Sequence, residues 1–333
     1  MRFQHLRPTA LGLVTGFAVA GFAVGASAQS VSFGTDSIGG ISNTVGSAVA
    51  KVVSQHSDLK VRVRAYGGPE IWLPQLDEGK IDFGAHFAAT AWLSYKKIDT
   101  KVQTPNLRLV RAGAATVPLG FMVRADSDIK SVADLKGRRV AGGYGAHPIM
   151  KRLSEGILKA YGIEMSDVKV VPVPAALEGA KAVQDGRADA AWYAVFAPTT
   201  REMHSKVGVR FLPIDFTPER LKIARQAIFP GMVPVRVPVN LPFAPKGTGL
   251  AGYEFYVIAS THTKDATVKT LAETLWANET ELTKVHANLR GFKNAAAVSS
   301  VATIPYHPAA IEFYKSKGVW NAEAEAHNKE LMN

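Results

Sequence analysis

Apolar residues follow a helical spacing in the first part of the chain and then alternate with polar ones. The helical face consists of Ile41, Val45, Ala48, Val49, Val52 and Val53. Residues three or four positions apart lie on one side of a helix, so this spacing predicts a helix that buries one face. The segment LKVRVRAY (59–66) alternates with a period of two and predicts a strand. The stretch VSFGTDSIGG (31–40) predicts an earlier strand that runs into a glycine-rich turn.

The same order of elements returns 107 residues further along the chain. RRVAGGYGAH (138–147) predicts a strand and a glycine-rich turn, and VKVVPVP (168–174) predicts a second extended run. A helical apolar face lies between them, at Ile149, Leu153, Ile157, Leu158 and Tyr161. Each copy then has a further helix and closes on a short motif, DEGKIDFGA (77–85) in the first copy and QDGRADAAW (184–192) in the second. We therefore predict two βαβαβ units.

The repeated motif has a structural interpretation. Its glycines, Gly79 and Gly186, follow predicted helices, where a left-handed backbone conformation is common and costs glycine little. Asp82 and Asp189, three residues after the glycine of each copy, precede short apolar runs that predict buried strands. We interpret these two Asp residues as turn or cap residues and not as a catalytic pair.

Alternating strands and helices predict an α/β fold with parallel strands. In such sheets ligands bind outside the carboxyl ends of the strands, next to helix N-termini whose free N–H groups favour an anion. The loops at that edge are 34–40, 67–70, 86–90, 142–148 and 193–199. Two units that face each other would form a cleft between two lobes, which favours ligand capture.

Composition removes several other functions. The 333 residues include no Cys, which excludes disulfides, thiolate catalysis and Cys-ligated metal sites. The net charge is +11, but Lys and Arg are scattered and do not cluster with aromatic residues, so we do not expect nucleic acid as a partner. The sequence has no H-E-x-x-H, G-x-S-x-G or phosphate-loop motif. We predict no catalytic residues, metal or cofactor; a secreted enzyme remains an alternative.

The N-terminus has the pattern of a secretory signal peptide. Arg2 and Arg7 precede an apolar run (10–24) and the small-residue site Ala26-Ser27-Ala28. Residues 1–28 are therefore predicted to be removed on export. No Cys follows the cleavage site, so we expect no lipid anchor. The alternative is a retained membrane anchor.

Several stretches along the chain after residue 28 carry a family resemblance. They are GTDSIGG, VRVRAYGGPE, LDEGKIDFGA, LRLVRAGA, FMVRADSDIKSVADLKGRRVAGG, VQDGRADAAW and YHPAAIEFYKSKGV (306–319). In this order they resemble the TAXI family, the solute receptors of one class of tripartite ATP-independent periplasmic (TRAP) transporters.

The resemblance implies a type II periplasmic binding protein fold with a ligand cleft and two hinge crossovers. Lobe 1 would comprise 29–117 and 252–333, and lobe 2 would comprise 118–251, with hinge strands near 112–120 and 248–258. It also implies a periplasmic receptor, not an enzyme, that captures a small organic solute and delivers it to integral-membrane TRAP permease subunits. We expect a carboxylate or an amino acid, with an aromatic or apolar body. A receptor that feeds a sensor is an alternative.

The predicted solute-binding residues lie in the loops at the carboxyl ends of the strands. They are Thr35, Asp36, Ser37, Gly39, Gly40, Ser42, Asn43, Gly68, Glu70, His86, Phe87, Ala88, Tyr144, Gly145, His147, Trp192, Tyr193 and Phe196. His86 and His147 are interpreted as coming from equivalent loops of the two lobes, so that they could face each other across a carboxylate.

Two pairs of candidates have alternative interpretations. Asp36 and Glu70 could accept an ammonium group of the solute or could cap glycine-rich turns. Trp192 and Tyr193 are neighbours on a predicted strand, so one of them should line the cleft and the other should pack behind the sheet. Phe87, Tyr144 and Trp192 are the aromatic residues that lead us to expect an aromatic or apolar body in the solute.

Overall fold

The chain forms two α/β lobes, each built around one sheet, in a computed structural model that describes Met1 and residues 29–114, 118–145, 147–286 and 289–333. The two-lobed α/β fold predicted from the sequence is confirmed. Residues 2–28, which hold nearly all of the predicted signal peptide, lie outside the described residues. In the described ranges, no helix combines the length and the apolar character that crossing a membrane requires.

Lobe 1 has a five-stranded sheet in the order β2-β1-β3-β12-β4, with strands and helices numbered in chain order. Its strands are β1 (Gln29–Thr35), β2 (Leu59–Ala65), β3 (Phe83–Phe87), β4 (Leu107–Gly113) and β12 (Phe255–Ser260). Its helices are α1 (Ile41–His56), α2 (Pro69–Asp77), α3 (Ala88–Lys96), α8 (Asp265–Ala277), α9 (Glu279–Val285), α10 (Pro308–Ser316) and α11 (Ala322–Met332). Both ends of the described chain therefore build this lobe.

Lobe 2 has a sheet in the order β10-β11-β5-β8-β6-β7, and a short further strand pairs with β5. Its strands are β5 (Leu119–Arg124), β6 (Arg139–Gly143), β7 (Lys169–Val173), β8 (Ala190–Ala194), β9 (Val209–Phe211), β10 (Val233–Arg236) and β11 (Gly249–Gly252). Its helices are α4 (Pro148–Ala160), α5 (Ala176–Gln184), α6 (Pro198–Val207) and α7 (Pro218–Ala227). Short 3-10 turns occur at Ala133–Leu135 and Met165–Asp167, and in lobe 1 at Asn294–Ala296.

The two predicted βαβαβ units are present, one in each lobe. In lobe 1, β1 runs parallel to both β2 and β3, and in lobe 2, β6 runs parallel to both β7 and β8. Gly79 and Gly186 follow α2 and α5 with φ of +75° and +72°, the left-handed conformation expected after a helix.

Asp82 and Asp189 fasten the third strand of each unit to its first strand. The Asp82 carboxylate accepts hydrogen bonds from the backbone N–H and the hydroxyl of Ser32, at 2.7 and 2.8 Å. The Asp189 carboxylate accepts from the backbone N–H of Arg139 at 2.8 Å and also binds its guanidinium group. Both partners lie 50 residues earlier in the chain. These Asp residues are structural, and they hold a neighbouring strand rather than a turn of their own.

The chain crosses from lobe 1 to lobe 2 between Gly113 and Leu119 and returns between Gly252 and Phe255. The predicted lobe boundaries lie next to these crossings; part of the first crossing, 115–117, lies outside the described residues.

Beside the crossings, one cation of lobe 2 contacts lobe 1. The guanidinium group of Arg152, on α4, binds the Asp99 carboxylate and lies over the ring of Trp92, on α3, at 5.9 Å from the ring centre.

Candidate functional site

A cavity of about 440 Å³ lies between the two lobes, at the carboxyl ends of the parallel strands. Its lining is Asp36, Ser37, Ile38, Gly39, Gly40, Ile41, Ser42, Gly67 and Phe87 from lobe 1, and Leu119, His147, Met150, Ala175, Ala176, Leu177, Glu178, Tyr193, Ala194, Ala197 and Thr199 from lobe 2. We call this space the main cavity. Its position is the one that the α/β topology predicts for a ligand.

Helices from both lobes begin in the main cavity without a side-chain cap. The residues before the first turns of α1, α5 and α6 are Gly40, Ala175 and Ala197, and none makes a side-chain cap hydrogen bond. Gly and Ala have no side-chain oxygen that could accept from the first backbone N–H groups of these helices. In α5, however, the N–H of Ala176 donates to Nδ1 of His147 at 3.4 Å, and α6 begins at Pro198, which has no N–H. Thr217, His307 and Asn321 cap α7, α10 and α11 outside the cavity, whereas α2, α3, α4, α8 and α9 also have no side-chain cap.

Asp36 is the centre of a hydrogen-bonded group in the cavity wall. Its carboxylate accepts from the indole N–H of Trp72 at 2.9 Å and from Nε2 of His86 at 3.1 Å. Burial raises the pKa of the Asp36 carboxyl, but His86, the two hydrogen bonds and His147 outweigh it, so its pKa lies below the usual value. Asp36 is therefore ionised at neutral pH, and it does not cap a turn with its side chain.

The two histidines near Asp36 accept backbone hydrogen bonds. Nδ1 of His86 accepts from the backbone N–H of Phe87 at 2.8 Å. Nδ1 of His147 accepts from the backbone N–H of Ala176 at 3.4 Å. Burial lowers the pKa of His147, and the nearby Asp36 opposes this only in part.

A smaller chamber of about 80 Å³ adjoins the main cavity. It is lined by Asp36, Pro69, Glu70, His86, Phe87, Thr90, Leu93, Ser94, Thr100, His147, Pro148, Ile149, Met150 and Ala176. We call it the side chamber. Five of these residues, Asp36, Phe87, His147, Met150 and Ala176, also line the main cavity. The two spaces therefore share a wall that carries the Asp36 carboxylate.

Ten of the predicted solute-binding residues line one of the two spaces. Asp36, Ser37, Gly39, Gly40, Ser42, Phe87, His147 and Tyr193 line the main cavity, and Glu70 and His86 line the side chamber only. Glu70 does not cap its glycine-rich turn in the described contacts; its carboxylate accepts from the Thr100 hydroxyl at 2.8 Å.

Trp192 does not line either space, which corrects our expectation that its ring contacts the solute. It is fully buried, and its ring packs edge-on against Phe121, with ring centres 5.2 Å apart. Successive residues of a strand point to opposite faces, so Tyr193 points into the main cavity instead. The Tyr193 hydroxyl is 2.6 Å from the Thr199 hydroxyl at the start of α6.

Tyr144, Gly145 and Phe196 also lie elsewhere. Tyr144 is fully buried, and its hydroxyl accepts from the backbone N–H of Trp192 at 3.3 Å, so its ring belongs to the core of lobe 2. Gly145 borders a separate groove beside α4, and Phe196 borders another beside α6.

Four further predicted residues line neither the main cavity nor the side chamber. They are Thr35, Asn43, Gly68 and Ala88. The Thr35 hydroxyl is buried and accepts from the Asn43 side-chain amide at 3.0 Å. Gly68 precedes the first turn of α2, and the buried Ala88 donates its N–H to the Glu254 carbonyl at 2.9 Å. These four are corrected from solute contacts to scaffold residues.

His86 and His147 are not equivalent, contrary to our interpretation of the sequence. His86 is on the third strand of its unit, β3, whereas His147 lies in the loop after the first strand of its unit, β6. Both nevertheless line the side chamber, because the end of β3 and the loop after β6 both reach it.

The predicted solute-binding residues do not include the start of α5, where Ala175 to Glu178 line the main cavity. The repeat in the sequence indicates this segment, because Ala175 lies 107 residues after Gly68, one of the predicted solute-binding residues.

The model of the NMT1-like family matches residues 33–318. Among solved structures, a protein described as a periplasmic transporter has a TM-score of 0.57 at 12% identity, covering 92% of this chain and 98% of that chain. The periplasmic aliphatic sulphonate binding protein SsuA of Escherichia coli has a TM-score of 0.48 at 16% identity, covering 91% and 99%. A probable amino-acid ABC transporter binding protein of Bacillus subtilis, ytmK, has 0.48 at 14%, covering 80% and 99%. At these identities the likeness is one of fold.

Proposed function

The chain belongs to the NMT1-like family, and we propose that it is a periplasmic receptor that captures a small organic anion between its lobes. One observation carries this proposal: uncapped first turns of α1 in lobe 1 and of α5 and α6 in lobe 2 meet in the main cavity. Free N–H groups and the positive ends of helix dipoles favour a negative group at such a place.

Capture by closure of the lobes follows from the way the site is divided. Lobe 1 contributes the α1 turn, and lobe 2 contributes the α5 and α6 turns, so neither lobe offers the full set of donors alone. Rotation about the two crossings would bring the halves together around the solute. Phe87 and Tyr193, one from each lobe, would give an apolar body an aromatic surface on both sides.

Delivery to a TRAP-type permease is the finer part of the proposal, and the resemblance of the quoted motifs to TAXI receptors supports it. The Bacillus subtilis protein is named for an ABC transporter, but its TM-score of 0.48 is too low to choose between the two permease types. A neighbouring gene for a large permease without an ATPase would support the TRAP type. A permease with an ATPase would support the ABC type, and a sensor kinase would favour signalling.

A panel of small molecules tests the capture of an anion. A ligand that binds only the folded state raises its stability by about 2.7 kcal/mol at a concentration of a hundred Kd. We expect carboxylates, sulphonates, amino acids or aromatic acids to raise the melting temperature of the purified chain without its signal peptide. Sugars and uncharged amides of the same acids are the controls. A panel in which only sugars stabilise the protein would contradict the proposal.

A secreted enzyme of the same fold is the rival function. Incubation of the protein with each stabilising acid, followed by mass spectrometry, separates the two. A receptor returns the acid unchanged, whereas steady formation of a product would establish an enzyme.

A further inference from the structure

The charged side chains around the main cavity and the side chamber differ from those of a site that binds only anions. Three carboxylates, of Asp36, Glu70 and Glu178, line the main cavity or the side chamber. Among the described residues, no Lys or Arg lines either space. Helix N-termini therefore supply the attraction for an anionic group, while the carboxylates remain for a group of the opposite charge.

The Asp36 carboxylate can accept further donors. Because Nδ1 of His86 accepts the Phe87 N–H, Nε2 is the ring nitrogen that donates to Asp36. The carboxylate accepts this hydrogen bond and one from the indole N–H of Trp72. A carboxylate has about four acceptor positions, so Asp36 can also accept from a cationic group of the solute.

A second observation in the side chamber is independent of charge. Thr90 lines the chamber and is 6% exposed, and its hydroxyl is buried with no hydrogen-bond partner among the described residues. A buried hydroxyl without a partner costs free energy in the empty protein. A ligand that brings a hydrogen-bond donor into the chamber would supply the missing partner.

We propose that the side chamber binds a protonated amine of the solute between the Asp36 carboxylate and the Thr90 hydroxyl. The inference rests on the proposed function, because the anionic group of the same solute lies at the helix N-termini. The start of α6, at Ala197 and Thr199, belongs to the main cavity only. Ala176, the first residue of α5, lines both spaces, so the anionic group is assigned to the start of α6. The two charges of the solute are then at opposite ends of an apolar body, and not on one carbon atom.

The size of the side chamber agrees with a compact head group. Its volume of about 80 Å³ compares with about 30 Å³ for each molecule of liquid water. An ammonium group and its methylene are of a size that fits into that space. The apolar body then lies in the main cavity beside Phe87 and Tyr193.

Two isomers test the separation of charge. Norleucine carries its amine next to the carboxylate, and ε-aminohexanoate carries the same groups at opposite ends of the same number of carbon atoms. By isothermal titration calorimetry on the chain without its signal peptide, we expect ε-aminohexanoate to bind at least about ten-fold more tightly than norleucine, and than hexanoate, which has no amine.

Each outcome decides the inference. If hexanoate or norleucine binds as tightly as ε-aminohexanoate, or if ε-aminohexanoate does not bind at millimolar concentration, the amine site is wrong. The proposed function survives that result as long as other acids stabilise the protein, and it fails separately if none does.

A matched pair of variants locates the amine. Thr90→Val removes the unpartnered hydroxyl in the side chamber, and Thr104→Val removes another buried, unpartnered hydroxyl that lines neither space. We expect Thr90→Val to weaken ε-aminohexanoate binding about ten-fold and to leave hexanoate unchanged. Thr104→Val should change neither. Equal affinity for ε-aminohexanoate in both variants would place the amine outside the chamber.

Discussion

The βαβαβ units of the two lobes share one backbone plan but offer the solute different chemistry. Asp82 and Asp189 fasten equivalent strands, each to a partner 50 residues earlier. By the same offset of 107 residues, His86 corresponds to Tyr193, and Ala85 corresponds to Trp192. Residues that hold the strands together are thus repeated, while residues at the strand ends have diverged.

The divergence gives each lobe a separate task in the cavity. Lobe 1 places Asp36 in the wall of the main cavity, where the equivalent position of lobe 2 is Gly143. Lobe 2 places His147 where lobe 1 has Gly40. In the main cavity the Asp36 carboxylate therefore comes from lobe 1, whereas the His147 imidazole, the Tyr193 ring and a second carboxylate, that of Glu178, come from lobe 2. A repeat in sequence indicates where a site lies and does not indicate what it binds.

The largest expected effect concerns stability and falls on Trp192. Trp192→Ala should lower the free energy of unfolding by about 3–5 kcal/mol, because it leaves a large cavity behind β8. Urea unfolding measures the loss, and titration at low temperature should show unchanged affinity in the folded fraction. A loss of affinity with unchanged stability would return Trp192 to the solute wall.

A substitution of the neighbouring Tyr193 should instead change the affinity for the solute. Tyr193→Ala should weaken binding of the best acid from the panel by about 2 kcal/mol, since a buried aromatic ring at the centre of an interface carries much of the affinity. Calorimetry measures the change. Tyr193→Phe is the control, because the hydroxyl contacts Thr199 of the same lobe. Unchanged affinity in Tyr193→Ala would remove the aromatic wall from the proposal.

Asp82 and Asp189, which fasten equivalent strands, should contribute unequally to the free energy of unfolding. Asp82→Asn should cost about 2 kcal/mol of stability, because it weakens two charge-assisted hydrogen bonds to the buried Ser32. Asp189→Asn should cost about 1 kcal/mol, because much of its partner is the half-exposed Arg139 guanidinium, where water screens the charge. Urea unfolding compares them, with the exposed Asp58→Asn as the control. A larger loss for Asp189→Asn would reverse this ranking.

The smallest effect depends on pH and concerns His147. Burial lowers the pKa of His147, so the unfolded chain takes up the proton at a higher pH than the folded protein. The protein should therefore lose stability relative to a His147→Gln variant as pH falls below the usual histidine pKa of about 6.5. Unfolding curves of both proteins between neutral and mildly acidic pH measure the difference. A difference that stays constant with pH would contradict it.

Much of the fold was predictable because local patterns and packing agree. The helical face from Ile41 to Val53 becomes α1, and the alternation in 59–66 becomes β2. Gly79 and Gly186 follow α2 and α5 and precede β3 and β8, as the repeated motif predicts. The Pro-rich segment 234–249, by contrast, holds the ends of β10 and β11, which pair with each other in lobe 2. Nothing in the local pattern of this segment predicts that β10 and β11 pair with each other.

The location of the site was predictable from the sequence, but the side chains that line it were less so. Topology alone put the loops of Asp36, Phe87 and His147 at one edge. Whether a side chain at that edge faces solute or core depends on packing between elements. Strand alternation left Trp192 and Tyr193 as alternatives, and the buried contact of Trp192 with Phe121 decides between them.

The contact of Arg152 with Trp92 joins residues of different lobes, so opening of the lobes would take a guanidinium group away from an indole. The emission of an indole depends on the charge and polarity around it. Trp72 and Trp192, by comparison, are fully buried in single lobes. The intrinsic fluorescence of the chain should therefore contain an optical signal of its own opening and closing, which can be followed in time without an attached dye.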